Sequence, residues 1–370
     1  MPNLMVQPPR LAMASGRVKG EDGIGFDVAF LHRHGNFGHM TRDQATGFPQ
    51  QLLNLLRELQ IRALDPRQWE RRLASRLLER FDFTEEFRRP VLLALGRAFP
   101  HLQFVICKAA GSLFAVSPKD DTIGFSLIQG KAFEREVFDR ALQLLEQHAP
   151  CIAFKGRAFL DIGANVGFMT VYASQSGHFN RALCAEPDPV NFRLLKATMA
   201  LNDLEAFARL VPMALGDKDG EVMLEQSEQN FGDHRVRVNT DSTEGASQEA
   251  QRATIQVPVT TLDALLSSEK LQPADVGLVW IDTQGYDGFV LAGATSLQRG
   301  SVPVVCEFWP YGMKRSQGWP IFRDTVRRSF SGYYNLSDST AIVHPTDAMD
   351  ALFDQLGTGI GHTDLLLLPR

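Results

Sequence analysis

The pattern of apolar and polar residues changes twice along the chain, which predicts three segments. Residues 1–46 show no apolar period and are expected to be irregular. Residues 47–101 place leucines at helical spacing, beginning with the apolar face between Leu52 and Leu59, and predict a helical extension. Residues 102–370 instead alternate short apolar runs with longer amphipathic stretches, which is typical of an α/β domain.

Within residues 102–370, the apolar runs predict strands and the amphipathic stretches predict helices. Strands are expected at residues 104–107, 112–116, 158–161, 181–185, 208–214, 276–281, 302–308, 333–336 and 365–368. Helices are expected at residues 133–148, 168–173, 189–201, 286–297 and 320–330, and from Thr261 onward. Residues 118–122 are interpreted as the turn between the first two strands.

A second group of short apolar runs interrupts this alternation. Residues 221–224, 234–238 and 254–259 predict an inserted antiparallel sheet, and the polar residues 239–252 predict a loop within it. The remaining alternation of strand and helix favours a doubly wound, mostly parallel α/β sheet. The expected architecture is therefore this sheet with an inserted antiparallel segment and an N-terminal helical extension.

Composition and charge exclude several classes of protein. The 370 residues carry a net charge of −5 and no clustered basic face, so no nucleic-acid partner is expected. No apolar stretch is long enough to span a bilayer, and no basic segment followed by an apolar core opens the chain, so we expect a cytoplasmic protein that does not bind membranes. The four cysteines are too widely spaced for a zinc site or a disulfide framework. The oligomeric state does not follow from the sequence.

Three carboxylates are expected to meet at one edge of the sheet. Asp161 ends the first strand of the alternating region, Glu186 follows the second and Asp282 follows the fourth. In an open α/β sheet, the loops at the carboxyl ends of the strands line a single crevice. A carboxylate after the second strand is well placed to accept both hydroxyls of a ribose. The pattern therefore predicts a site for a cofactor that contains a nucleoside.

The loop after the first strand distinguishes two such cofactors. It reads Asp161-Ile-Gly-Ala-Asn-Val-Gly167 and lacks the Gly-x-Gly with which dinucleotide sites let the backbone approach a pyrophosphate. A carboxylate at the start of the loop would repel phosphate, but it suits the ammonium group of a methionine. S-adenosylmethionine therefore fits this loop better than NAD.

An ordered set of motifs resembles the FkbM-type methyltransferase family. The motifs are FLDIGANVGFMTVYAS, CAEPDPVNFRLLKATMALND, VPVTTLDALL, VWIDTQGYDGFVLAGA and VVCEFWP, and the resemblance spans roughly residues 102–370. It implies a class I methyltransferase (Rossmann-like) fold and the transfer of a methyl group from S-adenosylmethionine, usually to a hydroxyl of a sugar or other natural product. Where the family commonly has Asp-x-Glu-Gly, this chain has Asp282-Thr-Gln284-Gly285.

The resemblance also implies which residues bind the cofactor. The expected positions are Asp161, Gly163, Ala164, Asn165 and Gly167 on the methionine side, Glu186 on the ribose, Asn202 and Ala214 on the adenine side, and Asp282 near the methyl group. Asp282 and Asp287 could together hold a divalent metal ion, as in some methyltransferases, but two carboxylates alone are weak evidence for a metal.

Methyl transfer to an alcohol is helped by a base within hydrogen-bond reach of the hydroxyl. The candidates are Asp282, His234, Asp287 and Glu307. Glu307 interrupts an apolar run, where an unpaired carboxylate would be costly, so we expect a partner or a substrate hydroxyl to satisfy it. The aromatic residues that follow it are expected to be core residues or a wall for a sugar ring; they are Trp309, Tyr311 and Trp319.

These observations favour an S-adenosylmethionine-dependent O-methyltransferase that acts on a small-molecule or glycan acceptor. Two alternatives stay open. An NAD-dependent, sugar-modifying oxidoreductase would use a similar sheet, although the Gly-x-Gly is missing. A catalytically silent, cofactor-binding partner protein is consistent with Gln284, which forms hydrogen bonds but cannot take a proton.

Overall fold

The chain folds into two compact units, residues 1–82 and 83–370, and the structure, a computed structural model, describes mainly the second. The described residues are 18–19, 25–26, 99, 101–238, 252–299, 301–357, 359 and 361–370. In the first unit, Val18–Lys19 (β1) and Gly25–Phe26 (β2) pair in antiparallel fashion. The helical extension expected at residues 47–101 lies outside the described residues apart from Phe99 and His101, and the loop expected at residues 239–252 does so apart from Arg252.

The second unit alternates strands and helices. Its described strands are Val105–Ala109 (β3), Ser112–Val116 (β4), Arg157–Ile162 (β5), Phe179–Ala185 (β6), Ala208–Val211 (β7), Ala214–Gly216 (β8), Gly220–Glu225 (β9), Arg235–Arg237 (β10), Thr254–Thr261 (β11), Val276–Ile281 (β12), Val304–Phe308 (β13), Phe330–Asn335 (β14) and Thr363–Pro369 (β15).

The described α-helices are Ile123–Ile128 (α1), Arg135–His148 (α2), Phe168–Ser176 (α3), Pro189–Leu201 (α4), Leu262–Ser268 (α5), Asp287–Ala292 (α6), Thr295–Arg299 (α7), Pro310–Arg315 (α8), Trp319–Ser329 (α9) and Met349–Leu356 (α10). Short 3₁₀ turns precede β12 and α10. Within the part of the chain that the structure describes, no helix has the length and apolar character that crossing a membrane requires.

A seven-stranded sheet of order β14-β15-β13-β12-β5-β6-β7 forms the centre of this unit. Strand β5 pairs in parallel with both β6 and β12, and β15 is antiparallel to its two neighbours. After β7 the chain returns to the other side of β5, so the strand order reverses between β5 and β12. Ligands of open α/β sheets bind at such a switch point. The predicted doubly wound, mostly parallel sheet is confirmed.

The inserted segment forms a second sheet of order β10-β9-β11-β8. Strand β9 is antiparallel to both of its neighbours, which confirms the predicted antiparallel insertion. The single strand expected at residues 208–214 is wrong, because β7 lies in the central sheet and β8 pairs with β11 in the inserted sheet. Pro212 separates the two strands, and its nitrogen cannot donate to a strand ladder.

The turn of the first hairpin is also placed differently from the prediction. Ala109 pairs with Ser112, so Ala110 and Gly111 make the turn, with φ of 49° and 82°. Positive φ at both central residues is the geometry that suits the twist of a hairpin. Residues 118–122 instead lead into α1, where the carboxylate of Asp120 accepts a hydrogen bond of 2.7 Å from the backbone of Gly124.

Local capping residues explain where two of the helices begin. Asp188 accepts hydrogen bonds from the backbone nitrogens of Val190 and Asn191 at the start of α4, and Pro189 occupies the first helical position. Thr261 accepts one from Ala264 at the start of α5. The helix expected at residues 286–297 is divided into α6 and α7. It breaks at Gly293, where an ideal Cβ would lie 2.0 Å from the carbonyl oxygen of Gly216.

Apolar side chains cover both faces of the central sheet. On one face, Phe159 of β5 packs in a cluster with Phe138 of α2 and Tyr172 of α3. On the other face, Leu160 packs in a cluster with Val290 of α6 and other helix residues. Neighbouring residues of one strand therefore belong to opposite clusters, as the pleat of a sheet buried on both faces requires.

At Gly163, the loop after β5 approaches the backbone that follows β12. The nitrogen of Asp282 donates a hydrogen bond of 2.9 Å to the carbonyl of Ile162, at the end of β5. Gly163 has a φ of 88°, and an ideal Cβ on it would lie 1.9 Å from the carbonyl oxygen of Asp282. A residue with a side chain would force the loop after β5 away from the end of β12.

We therefore expect Gly163→Ala to destabilise the protein more than a matched substitution elsewhere. Gly177 ends α3 with a φ of 67°, and nothing lies within 4 Å of an ideal Cβ on it. Gly177→Ala should cost only the left-handed conformation, about 1–2 kcal/mol. Gly163→Ala should cost roughly a further 1–3 kcal/mol because the backbone must shift. Urea denaturation of both variants measures the difference, and equal losses of stability would contradict the inferred contact.

Candidate cofactor and acceptor site

A glycine-containing loop connects β5 to α3 at the switch point. Gly163, Asn165 and Gly167 all have positive φ, between 49° and 89°. The side chain of Asn165 accepts a hydrogen bond from the nitrogen of Val166 at 2.8 Å. An ideal Cβ on Gly167 would lie 2.6 Å from the side chain of Leu195, so this glycine lets the start of α3 pack against α4. The loop is thus a rigid, preformed turn.

The carboxylate that opens this loop is turned towards the protein interior. Asp161 is 2% exposed, and its Oδ2 accepts a hydrogen bond of 2.5 Å from Thr170 of α3. Burial raises the pKa of Asp161 to about 7, although hydrogen bonds from Thr170 lower it. Asp161 therefore joins β5 to α3. It is not among the residues that line the cleft next to this loop. The expected place of Asp161 on the methionine side is corrected, because its side chain lies beneath the loop and contacts α3.

Glu186 lies one residue beyond β6 and holds the loop from the other side. Its Oε2 accepts a hydrogen bond of 2.8 Å from the backbone of Asn165, and its Oε1 accepts one of 2.7 Å from the backbone of Asp188. Burial raises its pKa to about 8, and the charges of Asp188 and Asp161 add to this effect. Each carboxylate oxygen keeps a second lone pair for a ligand.

A cleft of about 650 Å³ that is open to solvent lies between the ends of β5, β6 and β12; we call it the inner cleft. The predicted site residues that line it are Gly163, Asn165, Glu186, Ala214, His234 and Asp282. Apolar side chains, among them Ile162, Met213, Leu215 and Leu224, complete its walls. The described residues that line it include no lysine or arginine.

Other predicted positions lie outside this lining. Ala164 is buried, and Gly167 packs against α4. Asn202 follows α4 and binds β4 instead: its amide donates to the carbonyl of Leu113 at 2.7 Å and accepts from the nitrogen of Leu113 at 3.0 Å. The hydrogen bonds of Asn202 thus hold the first hairpin against α4. Its expected place on the adenine side is corrected, whereas Ala214 does line the cleft.

A second, wider cleft of about 1160 Å³, also open to solvent, adjoins the first; we call it the outer cleft. Its polar lining includes Glu134, Asp233, Arg235, Arg252, Asp282, Gln284, Glu307 and His362. Asp282 and Gln284 line both clefts. A molecule in one cleft would therefore meet a molecule in the other at these two side chains.

Gln284 links two carboxylates at this junction. Its Nε2 donates to Oδ1 of Asp282 at 2.7 Å and to Oε2 of Glu307 at 3.1 Å. Burial raises the pKa of Asp282, while hydrogen bonds from Gln284 and the charge of His362 lower it. Burial raises the pKa of Glu307 well above its ordinary value, and neighbouring carboxylates, beginning with Asp282, raise it further. The expected partner for Glu307 is thus Gln284.

His234 lines the inner cleft, but its hydrogen bonds are unsuited to a base. Its Nδ1 accepts a hydrogen bond of 3.0 Å from the backbone nitrogen of Ser227, which places the proton of the neutral ring on Nε2. Nε2 lies 3.9 Å from Oδ2 of Asp188. Burial lowers the pKa of His234, which favours this neutral form. Neither ring nitrogen then has a free lone pair to take a proton, so the assignment of His234 as a base is corrected.

Asp287 and Trp319 contribute to the interior instead of the clefts. Asp287 begins α6, and its Oδ2 accepts hydrogen bonds from Thr283 at 3.1 Å and Gly285 at 3.2 Å. Burial raises the pKa of Asp287 to about 8. Trp319 stacks on Phe353 with ring centroids 4.2 Å apart. Asp287 is therefore corrected as a base, whereas Trp319 is a core residue, the first of the two roles expected for it.

Trp309 and Tyr311 do line the outer cleft. The guanidinium of Arg235 lies 4.6 Å from the ring centroid of Trp309 and 5.9 Å from that of Tyr311.

Within the described ranges, no group of three or more histidine, cysteine and acidic side chains is arranged to hold a metal ion. The suggested pairing of Asp282 with Asp287 around a metal therefore has no third ligand of these types among the described residues.

Segment 226–234 of the insertion contributes Phe231, Gly232 and His234 to the lining of the inner cleft. The side-chain amides of Asn165 and Asn191 each donate a hydrogen bond of 3.0 Å to the carbonyl of Phe231. The nitrogen of Phe231 donates to Asp120 at 3.3 Å. These contacts join residues up to 111 positions apart. No local pattern of residues indicates them, because an asparagine amide has no preferred distant partner.

Comparisons with known proteins give one domain match and several similar solved structures. Residues 161–323 match the model of the methyltransferase FkbM domain. No curated protein matches the chain. Solved structures with a similar fold include an FkbM methyltransferase from Methylobacillus flagellatus KT, at 12% identity and a TM-score of 0.35 over 57% of this chain and 43% of that one. This chain thus spans less than half of that protein.

Two further structures with a similar fold carry other descriptions. One is an O-methyltransferase from Bacillus cereus in complex with SAH, at 12% identity and a TM-score of 0.36 over 76% of this chain and 90% of that one. The other is a tRNA m1G37 methyltransferase from M. jannaschii, at 10% identity and a TM-score of 0.30 over 72% of this chain and 53% of that one. The match to the methyltransferase FkbM domain thus runs from the end of β5 into α9 and includes the loop after β5 and the ends of β6 and β12.

Proposed function

We propose that the protein is an S-adenosylmethionine-dependent O-methyltransferase that acts on a hydroxyl of a sugar, a glycan or another natural product. One observation carries the proposal. Asp282 and Gln284 line both the inner and the outer cleft, so a carboxylate stands where a cofactor in one cleft would meet an acceptor in the other. A base is useful at that point of a methyl transfer to an alcohol.

The chemistry of the inner cleft fits S-adenosylmethionine. Glu186 offers two oxygens, each with a free lone pair, for a ribose diol. Met213, Leu215 and Leu224 offer apolar surface for an adenine. The described lining contains no lysine or arginine to neutralise a pyrophosphate, which argues against NAD. Gly163 and Asn165 would lie along the methionine part.

The residues at the junction of the two clefts are suited to remove the proton of the acceptor hydroxyl. Bound S-adenosylmethionine supplies a methyl group on a positively charged sulfur. Asp282 accepts the proton that the acceptor hydroxyl loses as its oxygen gains the methyl group. Burial raises the pKa of Asp282 and makes it a stronger base, while the hydrogen bond from Gln284 fixes the orientation of its carboxylate. The two clefts hold the reacting groups side by side, and positioning of this kind is a large part of catalysis.

The two alternatives make different predictions about the same residues. An oxidoreductase would bind NAD in the inner cleft. A silent binding partner would bind the cofactor without turnover, and Gln284 is the residue that suggested it. The amide of Gln284 donates to Asp282 at 2.7 Å, which supports the proposal that a neutral residue at 284 leaves this base at the junction.

Calorimetry with S-adenosylhomocysteine, S-adenosylmethionine and NAD tests the cofactor. We expect the two adenosyl compounds to bind and NAD not to bind. Glu186→Gln should weaken adenosyl binding by about tenfold, because an amide nitrogen, which cannot accept a hydrogen bond, replaces one carboxyl oxygen. Glu205→Gln is the matched control on an exposed glutamate and should bind normally. Binding of NAD alone would overturn the proposed function.

Asp282→Asn tests the base. We expect the rate of methyl transfer to fall by roughly 10²- to 10⁴-fold, the usual contribution of general base catalysis. Affinity for S-adenosylhomocysteine should change little, because Asn keeps the size of the side chain. Rates are measured with a radiolabelled methyl donor on hydroxyl acceptors. Full activity in the variant would exclude Asp282 as the base.

Gln284→Met tests the hydrogen bond that lowers the pKa of Asp282. Asp282 acts as a base only when ionised, so the rate should rise with pH as this carboxyl loses its proton. Removing the Gln284 amide removes a cause that lowers its pKa, so this rise should move to higher pH. Gln317→Met is the control, because Gln317 is exposed and shares a positive φ with Gln284. An unshifted pH profile would show that Gln284 does not act on the base.

A further inference from the structure

Asn191 of α4 has a buried acceptor without a partner. The residue lies in the first turn of the helix and is 1% exposed. Its Oδ1 is enclosed by the protein, and no donor among the described residues forms a hydrogen bond with it. A buried acceptor of this kind is costly to leave unpaired, so a donor from another molecule would relieve it.

The other atom of the same amide fixes this orientation. Nδ2 of Asn191 donates a hydrogen bond of 3.0 Å to the carbonyl of Phe231. Turning the amide over would place Oδ1 against that carbonyl oxygen, so that two acceptors faced each other. Asn165 provides a contrast, since its Nδ2 donates to the same carbonyl and its Oδ1 accepts from Val166. Of these two amides, that of Asn191 is the one that keeps an acceptor for another molecule.

Asn191 lies on the side of the inner cleft where the ribose is expected. It lines this cleft together with Glu186, Met213 and Ala214, and it is not among the residues that line the outer cleft. Two hydrogen bonds connect it to Glu186. The backbone of Asp188 donates to Oε1 of Glu186 at 2.7 Å, and the backbone of Asn191 donates to Oδ1 of Asp188 at 2.9 Å. The unpartnered oxygen therefore belongs to the surroundings of the nucleoside.

Segment 226–234 contacts Asn191 from the side of the inner cleft. Phe231 and His234 line this cleft, and they also line a third cleft of about 1150 Å³ that is open to solvent and includes residues 226–229. The segment thus lies between two clefts and has open space on its far side. A base that enters the inner cleft can displace the segment towards that space, and the broad χ2 torsion of an asparagine lets Oδ1 turn to meet the base.

The donors of S-adenosylmethionine leave one candidate for this oxygen. Under the proposed function, the two ribose hydroxyls bind Glu186, and the ammonium of the methionine part lies along the loop after β5. The remaining donor is the amino group of the adenine. An amide oxygen accepts a hydrogen bond from such a group.

We propose that Asn191 recognises the adenine of the cofactor, and that its Oδ1 accepts a hydrogen bond from the adenine amino group. Asn191 is then a specificity-determining residue, which favours adenine over a purine that carries an oxygen at the same position. This inference rests on the proposed function, because it concerns the cofactor of the same reaction.

Two matched ligands test the inference on the full chain. S-inosylhomocysteine differs from S-adenosylhomocysteine in carrying an oxygen in place of the amino group. The dissociation constants of both are measured by calorimetry. We expect the adenosyl compound to bind at least about tenfold more tightly, because the oxygen of the inosyl compound would face Oδ1 without a hydrogen between them.

Variants at position 191 assign this preference to the acceptor. Asn191→Leu removes the acceptor and should remove most of the preference, and Asn191→Ala gives the same test if the leucine variant does not fold. Asn191→Asp keeps an acceptor but loses the donor to Phe231. Both compounds should therefore bind this variant more weakly, while the adenosyl compound is still preferred.

Asn180→Leu is the matched control. Asn180 is exposed at the opposite end of β6 from Glu186, and its Nδ2 also donates to a backbone carbonyl, that of Gly156, at 2.6 Å. The control should keep both affinities. An equal loss of the preference in Asn180→Leu, or an undiminished preference in Asn191→Leu and Asn191→Ala, would overturn the inference.

The outcomes separate this inference from the proposed function. If S-adenosylhomocysteine binds and the wild-type protein does not distinguish it from S-inosylhomocysteine, the inference about Asn191 is overturned while the methyltransferase proposal stands. If neither compound binds, both the inference and the proposed function are overturned.

Discussion

The contact between Gly163 and the carbonyl of Asp282 determines the geometry of the whole site. Hydrogen bonds in the sheet place β5 beside β12, but they leave the loops beyond the strands free to separate. A glycine with a positive φ lets the loop after β5 reach the backbone of Asp282. Glu186 is bound to the same loop through Asn165, and Asp282 lies at the junction of the two clefts. The contact therefore sets the distance between Glu186 and Asp282. The cofactor and acceptor sides are therefore linked through backbone.

The same region concentrates carboxyl groups that burial makes costly to ionise. Asp161, Glu186 and Asp287 have their pKa raised to about 7 or 8, mainly because they are buried. Asp161 and Asp287 offset part of this cost with hydrogen bonds from neighbouring helices and loops. Glu307 of the outer cleft accepts one from Gln284. Hydrogen bonds within the protein therefore hold these carboxyl groups in place.

The sequence was sufficient for most of the fold, because its periodicity reflects burial directly. The strands of the central sheet and the position of the glycine loop follow from apolar runs that stop at polar residues. Predicted roles of residues were wrong where a contact between residues distant in sequence determines what a side chain binds. Asn202 looks like a site residue, yet its amide binds Leu113 of the first hairpin. His234 looks like a base, yet the backbone of Ser227 occupies its Nδ1. Hydrogen-bond partners of this kind have no periodic pattern in a sequence.

Gln284 is the position where this chain departs from the FkbM pattern, and its surroundings explain the departure. A glutamate at 284 would place another negative charge between Asp282 and Glu307, in a region where carboxylates already raise one another's pKa. It would also lack the two amide hydrogens with which Gln284 joins those groups. A neutral donor reduces the repulsion and leaves Asp282 as the carboxylate that faces both clefts. On the proposed function, Gln284 therefore changes how the base is held and does not remove it.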